Sequence, residues 1–157
     1  MRKLLLFVFV LLCVQCMHAQ KMSPITWTAF GLNFMVPSAI QVEDDSEDSF
    51  LLNDKSMYIS IMSLESEGIT RDELKALAKE YANDEGVKFV DKPESFELPQ
   101  FYGSFYRGKL EGDSCYYACL MTKDAEFAFY LSMLYDEKRY KEAEKVLKSF
   151  TIGVDEE

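Results

Sequence analysis

The side chains best placed to do chemistry lie between Phe101 and Tyr135. Tyr102, Tyr106, Tyr117 and Tyr130 recur there with Cys115 and Cys119, on runs that alternate like strands. A tyrosine offers apolar area with a hydroxyl at its tip, which suits binding better than proton transfer near neutral pH. The chain has one histidine, His18, and it falls in the first twenty residues. Beyond it there is no imidazole to act as general base or metal ligand. No metal site and no cofactor site is expected.

Cys115 and Cys119 would invite a disulfide in an oxidising compartment. Their spacing argues against one. Four residues along a strand span roughly 13 Å, whereas a disulfide needs Cα atoms within about 7 Å. The two thiols are expected to be unpaired with each other and to pack as small apolar groups. The run Glu43-Asp44-Asp45-Ser46-Glu47-Asp48 carries carboxylates that suit a cation. It lacks the alternating acidic spacing and central glycine of a calcium loop. It is expected to be a solvated acidic turn.

The elements that position these residues can be read in order. Met1-Arg2-Lys3, an apolar stretch from Leu4 to Val14 and the pair Ala19-Gln20 make a secretory signal peptide over residues 1–19. The apolar run is too short for a spanning helix, which needs roughly 20 residues. The competing reading is a lipoprotein leader, with a lipid anchor on Cys13 or Cys16. Cleavage after Ala19 leaves a single domain over residues 20–157, with an ordered core over about 24–152. Arg2 and Lys3 leave with the leader, so 17 basic residues fall to 15 against 27 acidic ones, a net charge of −12. Such a surface repels nucleic acid and anionic membrane. A periplasmic or secreted location is expected.

Ile25 to Pro37 reads as one strand or two short ones around Gly31, stopped by Pro37, and Ile40-Gln41-Val42 can form a short strand. Phe50–Asn53 and Met57–Leu64 read as a hairpin around Asn53-Asp54-Lys55-Ser56. A helix follows. Thr70 and Glu73 have capping-box spacing, and Gly86 stands where a left-handed residue ends a helix. Val87–Val90 is a short strand, and Pro93 and Pro99 bracket a loop that carries Phe96 and Leu98.

Three strands and a closing helix complete the chain. A two-residue turn at Gly112-Asp113 sets Leu110 opposite Cys115 and Tyr106 opposite Cys119. A four-residue turn over 123–126 sets Leu120 opposite Phe129 and Cys119 opposite Tyr130. One face then collects Phe105, Ala118, Leu120, Phe129 and Leu131, a plain core. The other collects the four tyrosines and both cysteines. Either that second face binds a ligand or a helix covers it and makes it a second core. Asp136 can cap the closing helix, whose apolar stripe includes Tyr140, Ala143, Val146, Leu147 and Phe150.

The early strand Leu32-Asn33-Phe34-Met35-Val36-Pro37, the capped helix from Thr70 to Glu85, Phe129-Tyr130-Leu131 and the final Leu147-Lys148-Ser149-Phe150 together resemble the PsbP-like superfamily. That superfamily includes the DcrB-like bacterial envelope proteins. The resemblance spans nearly all of Trp27 to Ile152. It implies an α+β domain, an antiparallel sheet of about six strands with helices packed on its faces. It also implies a non-enzymatic accessory or binding role outside the cytoplasm, toward a protein partner or small ligand. No functional residue carries over, because no site motif matches. Two further readings stay open. One is a carboxylate-based hydrolase of the glycosidase kind, whose acid/base pair needs no histidine. The other is a lipoprotein subunit of an envelope complex.

Overall fold

A computed structural model describes residues 21–153. The segment expected to be a signal peptide, its expected cleavage site, Cys13 and Cys16 lie outside the described residues.

Two antiparallel sheets and two helices stack in three layers. The larger sheet has eight strands. Its spatial order runs β3 (Gln41–Asp45), β4 (Ser49–Asn53), β5 (Met57–Leu64), β10 (Ala128–Tyr135), β9 (Asp113–Thr122), β8 (Phe101–Leu110) and β6 (Lys88–Phe89). The strand β7 (Glu94–Glu97) pairs with the same edge of β8, one end further along. The smaller sheet joins β1 (Met22–Trp27), β2 (Leu32–Pro37) and β11 (Thr151–Ile152). The helix α1 (Leu74–Asp84) packs on β8 and β9. The helix α2 (Tyr140–Leu147) follows a 3-10 turn at Glu137–Arg139 and packs mainly on β2.

The expected single sheet of about six strands is thus corrected to eleven strands in two sheets among the described residues. The difference has local causes. The Pro93–Pro99 loop contains β7, whose Phe96 ring lies over Gly103 of β8, leaving no room for a Cβ there. The acidic run is not wholly a turn, since Glu43, Asp44 and Asp45 form part of β3. Charged side chains are tolerated on β3 because it is a sheet edge, where they also discourage further pairing.

Each face of the large sheet has its own core. Facing the small sheet and α2 are Phe105, Ala118, Leu120, Phe129 and Leu131, with Trp27 and Phe34 from the small sheet and Val146 and Phe150 from the closing segment. Trp27 is fully buried, stacks on Phe50 at 6.0 Å and donates its indole N–H to the Ser46 carbonyl at 2.6 Å. Facing α1 are Leu74, Ala78, Ala82, Tyr106, Tyr117 and Tyr130.

The β8–β9 register differs from expectation. The turn is Glu111-Gly112, not Gly112-Asp113, so Leu110 faces Asp113 and Tyr106 faces Tyr117. Both turn residues have positive φ, 51° and 102°, as the tight hairpin turn of matching twist requires. The pairing moves by two residues, and side chains alternate with period two, so no residue changes face. The β9–β10 register is as expected, with Leu120 opposite Phe129 and Cys119 opposite Tyr130.

Candidate functional site

The four tyrosines do share one face, on β8, β9 and β10. α1 covers most of it. Tyr106, Tyr117 and Tyr130 are buried, at 6%, 0% and 4% exposure. Tyr81 of α1 stacks on Tyr130 at 4.3 Å, and Phe89 of β6 packs on Tyr106 at 4.7 Å. Only Tyr102 is half-buried, beneath the Arg71 guanidinium at 4.4 Å from its ring. The face offered as a binding surface is therefore a second core over Tyr106, Tyr117 and Tyr130. The helix that covers it carries its own apolar stripe of Leu74, Ala78 and Ala82, which must dock somewhere.

The phenols are not left unsatisfied. Tyr117 donates to one Glu85 carboxylate oxygen at 2.6 Å, and Tyr130 donates to the other at 3.1 Å. Glu85 is the C-terminal cap of α1, where a negative charge opposes the helix dipole. Two hydroxyl donors offset that cost. Burial, reinforced by the Glu85 carboxylate, pushes both phenols well above the ordinary tyrosine value. Burial also raises the thiols, Cys115 to about 11 and Cys119 to about 12. Both thiols are free and fully buried. At neutral pH these groups stay protonated and shielded, and a protonated thiol is not a nucleophile.

A second constellation carried no sequence signal. Asp54 lies in the β4–β5 turn and accepts from the Ser56 and Met57 amides, both at 2.8 Å. Arg139, at the end of the 3-10 turn, donates through Nη1 to both Asp54 oxygens at 2.6 and 2.7 Å and to Ser56 Oγ at 2.9 Å. Its Nε donates to Glu142 at 2.7 Å. Its Nη2 is buried with no protein partner. Burial pushes the Asp54 carboxyl up. The Arg139 hydrogen bond and charge, with the two turn amides, outweigh this and hold it below the usual carboxylate range.

Beside this clamp lies a cleft of about 560 Å³, lined by Gln41, Glu43, Asn53, Lys55, Ser56 and Arg139 among others. It offers hydrogen-bonding groups of both kinds. Within it Arg139 stays charged and Asp54 stays ionised. Eighty-five residues separate Asp54 from Arg139, so only the fold brings them together. Among the described residues, no three His, Cys, Asp or Glu side chains gather as a metal site would require.

The model of the Dihydro-orotase-like family matches residues 31–139, from the turn after β1 to Arg139. The chain belongs to the Dihydro-orotase-like family. No curated protein matches it. Among solved structures, the Ran-binding protein Mog1p of Saccharomyces cerevisiae shares the fold at a TM-score of 0.55 and 8% identity. That match covers 85% of this chain and 96% of Mog1p. A crystal structure from Bacteroides thetaiotaomicron VPI-5482 matches at a TM-score of 0.52 and 16% identity, covering 87% of this chain. The chain spans about half the length of that protein, 50% of it. At these identities the likeness is one of fold. The Dihydro-orotase-like domain here has a Mog1/PsbP-like architecture, in keeping with the superfamily resemblance.

Proposed function

We propose that the protein is a non-enzymatic binding or accessory protein of the bacterial envelope, acting outside the cytoplasm like the DcrB-like proteins it resembles. The state of its reactive side chains carries the non-enzymatic part. The phenols of Tyr106, Tyr117 and Tyr130 and the thiols of Cys115 and Cys119 are buried in a packed layer. The Arg139 clamp is built to hold two segments together rather than to exchange protons. The leader over residues 1–19 supports the location. One fold neighbour, Mog1p, is a Ran-binding protein, which gives a precedent for protein binding on this architecture.

The family description raises a competing activity, hydrolysis of dihydro-orotate, which needs an activated water. A tagged chain expressed in a bacterial host tests both readings. Mass spectrometry of the exported protein should find Gln20 at its N-terminus. Affinity capture from native envelope extract should retain a partner, and incubation with dihydro-orotate should give no turnover. Turnover that tracks protein concentration, or an unprocessed chain in the cytoplasmic fraction, would overturn the proposal. A lipid-bearing cysteine at the N-terminus would instead favour the lipoprotein subunit.

A further inference from the structure

α1 covers only half of the outer face of the large sheet. It packs on β8 and β9, and Tyr81 reaches as far as Tyr130 on β10. The same face continues across β5, β4 and β3, where only Leu64 at the end of β5 joins the core under α1. Along β5, Tyr58, Ser60 and Met62 alternate outward against the buried Met57, Ile59 and Ile61. Leu51 of β4 pairs with Ser60. Met62 is 45% exposed although it pairs with the buried Tyr130. Leu51 and Tyr58 are half-buried. The result is a surface floor on which Leu51, Tyr58 and Met62 supply the apolar area among Ser49, Asn53 and Ser60.

The two long margins of that floor carry acidic residues, and Lys55 of the β4–β5 turn stands at one end. Strands β3, β4, β5 and β10 contain no lysine or arginine. Glu43 stands on the edge strand β3 and accepts from Asn53 at 3.1 Å. Across the floor is α1. Its Leu77, Tyr81 and Asp84 recur at four- and three-residue spacing along the flank that turns to β10, while Lys75 and Lys79 share the opposite flank. Glu85 closes the end of this margin. Tyr58 pairs with Asn53, whose amide reaches Glu43. Burial raises its phenol, and the charges of Glu43 and Glu85 add to it.

We propose that this uncovered half-sheet docks a basic, amphipathic segment of a partner protein. Its apolar side chains lie on Leu51, Tyr58 and Met62, and its lysines or arginines reach Glu43 and Asp84. The argument is charge complementarity around an apolar floor. A second copy of this chain would bring like charges together across a two-fold interface. An anionic lipid surface would be repelled. The inference rests on the proposed binding function and names the chemistry of its partner.

The test titrates the ¹⁵N-labelled full chain with a peptide of alternating lysine and leucine, and with a counterpart carrying glutamate for lysine. The basic peptide should shift the amides of Leu51, Tyr58, Ser60 and Met62, and the acidic one should not. Glu43→Lys with Asp84→Lys should weaken binding about tenfold at low salt, with a smaller difference at high salt. Glu43→Gln with Asp84→Asn should give an intermediate loss if the reversed pair disturbs the fold. Glu126→Lys with Glu137→Lys, away from the face, should change little. Equal binding of the two peptides, shifts confined to other surfaces, or self-association through this face would overturn the docking surface. Envelope capture separates the two levels. A partner retained equally by wild type and by the charge-reversed pair overturns the surface but leaves the binding function standing.

Discussion

Arg139 holds Asp54 and Glu142 at a place where the three side chains are between 10% and 18% exposed. Removing one member of such a cluster leaves charge without a partner. Arg139→Met should therefore cost about 3 kcal/mol, measured by urea unfolding near neutral pH. The acid limb tests the same cluster. The folded Asp54 carboxyl is lowered, so its contribution is present above the unfolded value near 3.8 and is lost as pH falls below it. Asp54→Asn should be less stable than wild type by about 2 kcal/mol near neutral pH. The gap should close at low pH, and a constant gap would mean that the charge is irrelevant. Cys115 and Cys119 make a separate case. With both thiols buried and raised to about 11 and about 12, a mildly alkaline thiol reagent should react only through opening of the fold. Labelling should slow in step with added stability, and fast labelling of the native protein would place a thiol at the surface.

α1 is held to the sheet by a chain of local fits that ends at Gly108. Gly86, at φ 80°, lets the backbone turn back after the helix. The Val87 amide then bonds Ala82 O at 2.9 Å and the Gly86 amide bonds Asn83 O at 3.0 Å, the paired closure of a Schellman end. That turn delivers Val87 and Lys88 onto β8 at Gly108. A Cβ at Gly108 would collide with Val87 Cγ1 and approach Lys88 O to 2.7 Å. Because one obstacle is backbone, Gly108→Ala should cost about 2 kcal/mol of unfolding free energy. A neutral effect would mean that β6 is free to move away. Much of this was legible in the sequence. Glu73 accepts from the Thr70 amide at 2.7 Å, as the capping box requires. The Thr70 hydroxyl also donates to Glu73 rather than capping the helix, so α1 starts only at Leu74. The face assignments over β8–β10 hold because the turn error was even. β3 was legible only at its start, Gln41-Val42, because the acidic run hides the rest. β7 was not legible, since flanking prolines hide a short edge strand whose pairing is decided by its neighbours.

The three-layer stack makes two cores share one sheet, and the sequence could state that arrangement only as an alternative. Periodicity sorted the tyrosines to one side, but a period says nothing about what covers a face. The cover was settled by where α1 docks, and the Arg139 clamp by contacts across 85 residues. Because the sheet is shared, loosening one core should loosen the other. Alkali probes this coupling. Tyr117 and Tyr130 lie in the core under α1, and Tyr116 and Tyr135 lie in the core under the small sheet. Burial raises all four above the ordinary value of 10. The sign follows directly. Phenols that ionise more easily when unfolded leave stability fully present below about pH 10 and erode it as pH rises further. Tyrosinate absorbance should then appear in one cooperative step above that pH. Trp27, buried in the core opposite Tyr117 and Tyr130, should change fluorescence in the same step. Phenylalanine at both Tyr117 and Tyr130 should move the step to higher pH, since two of the buried ionisations that pull the chain open would be gone. A cooperative jump in tyrosinate absorbance while Trp27 stays unchanged would show that the cores open separately, and the shared sheet would not couple them.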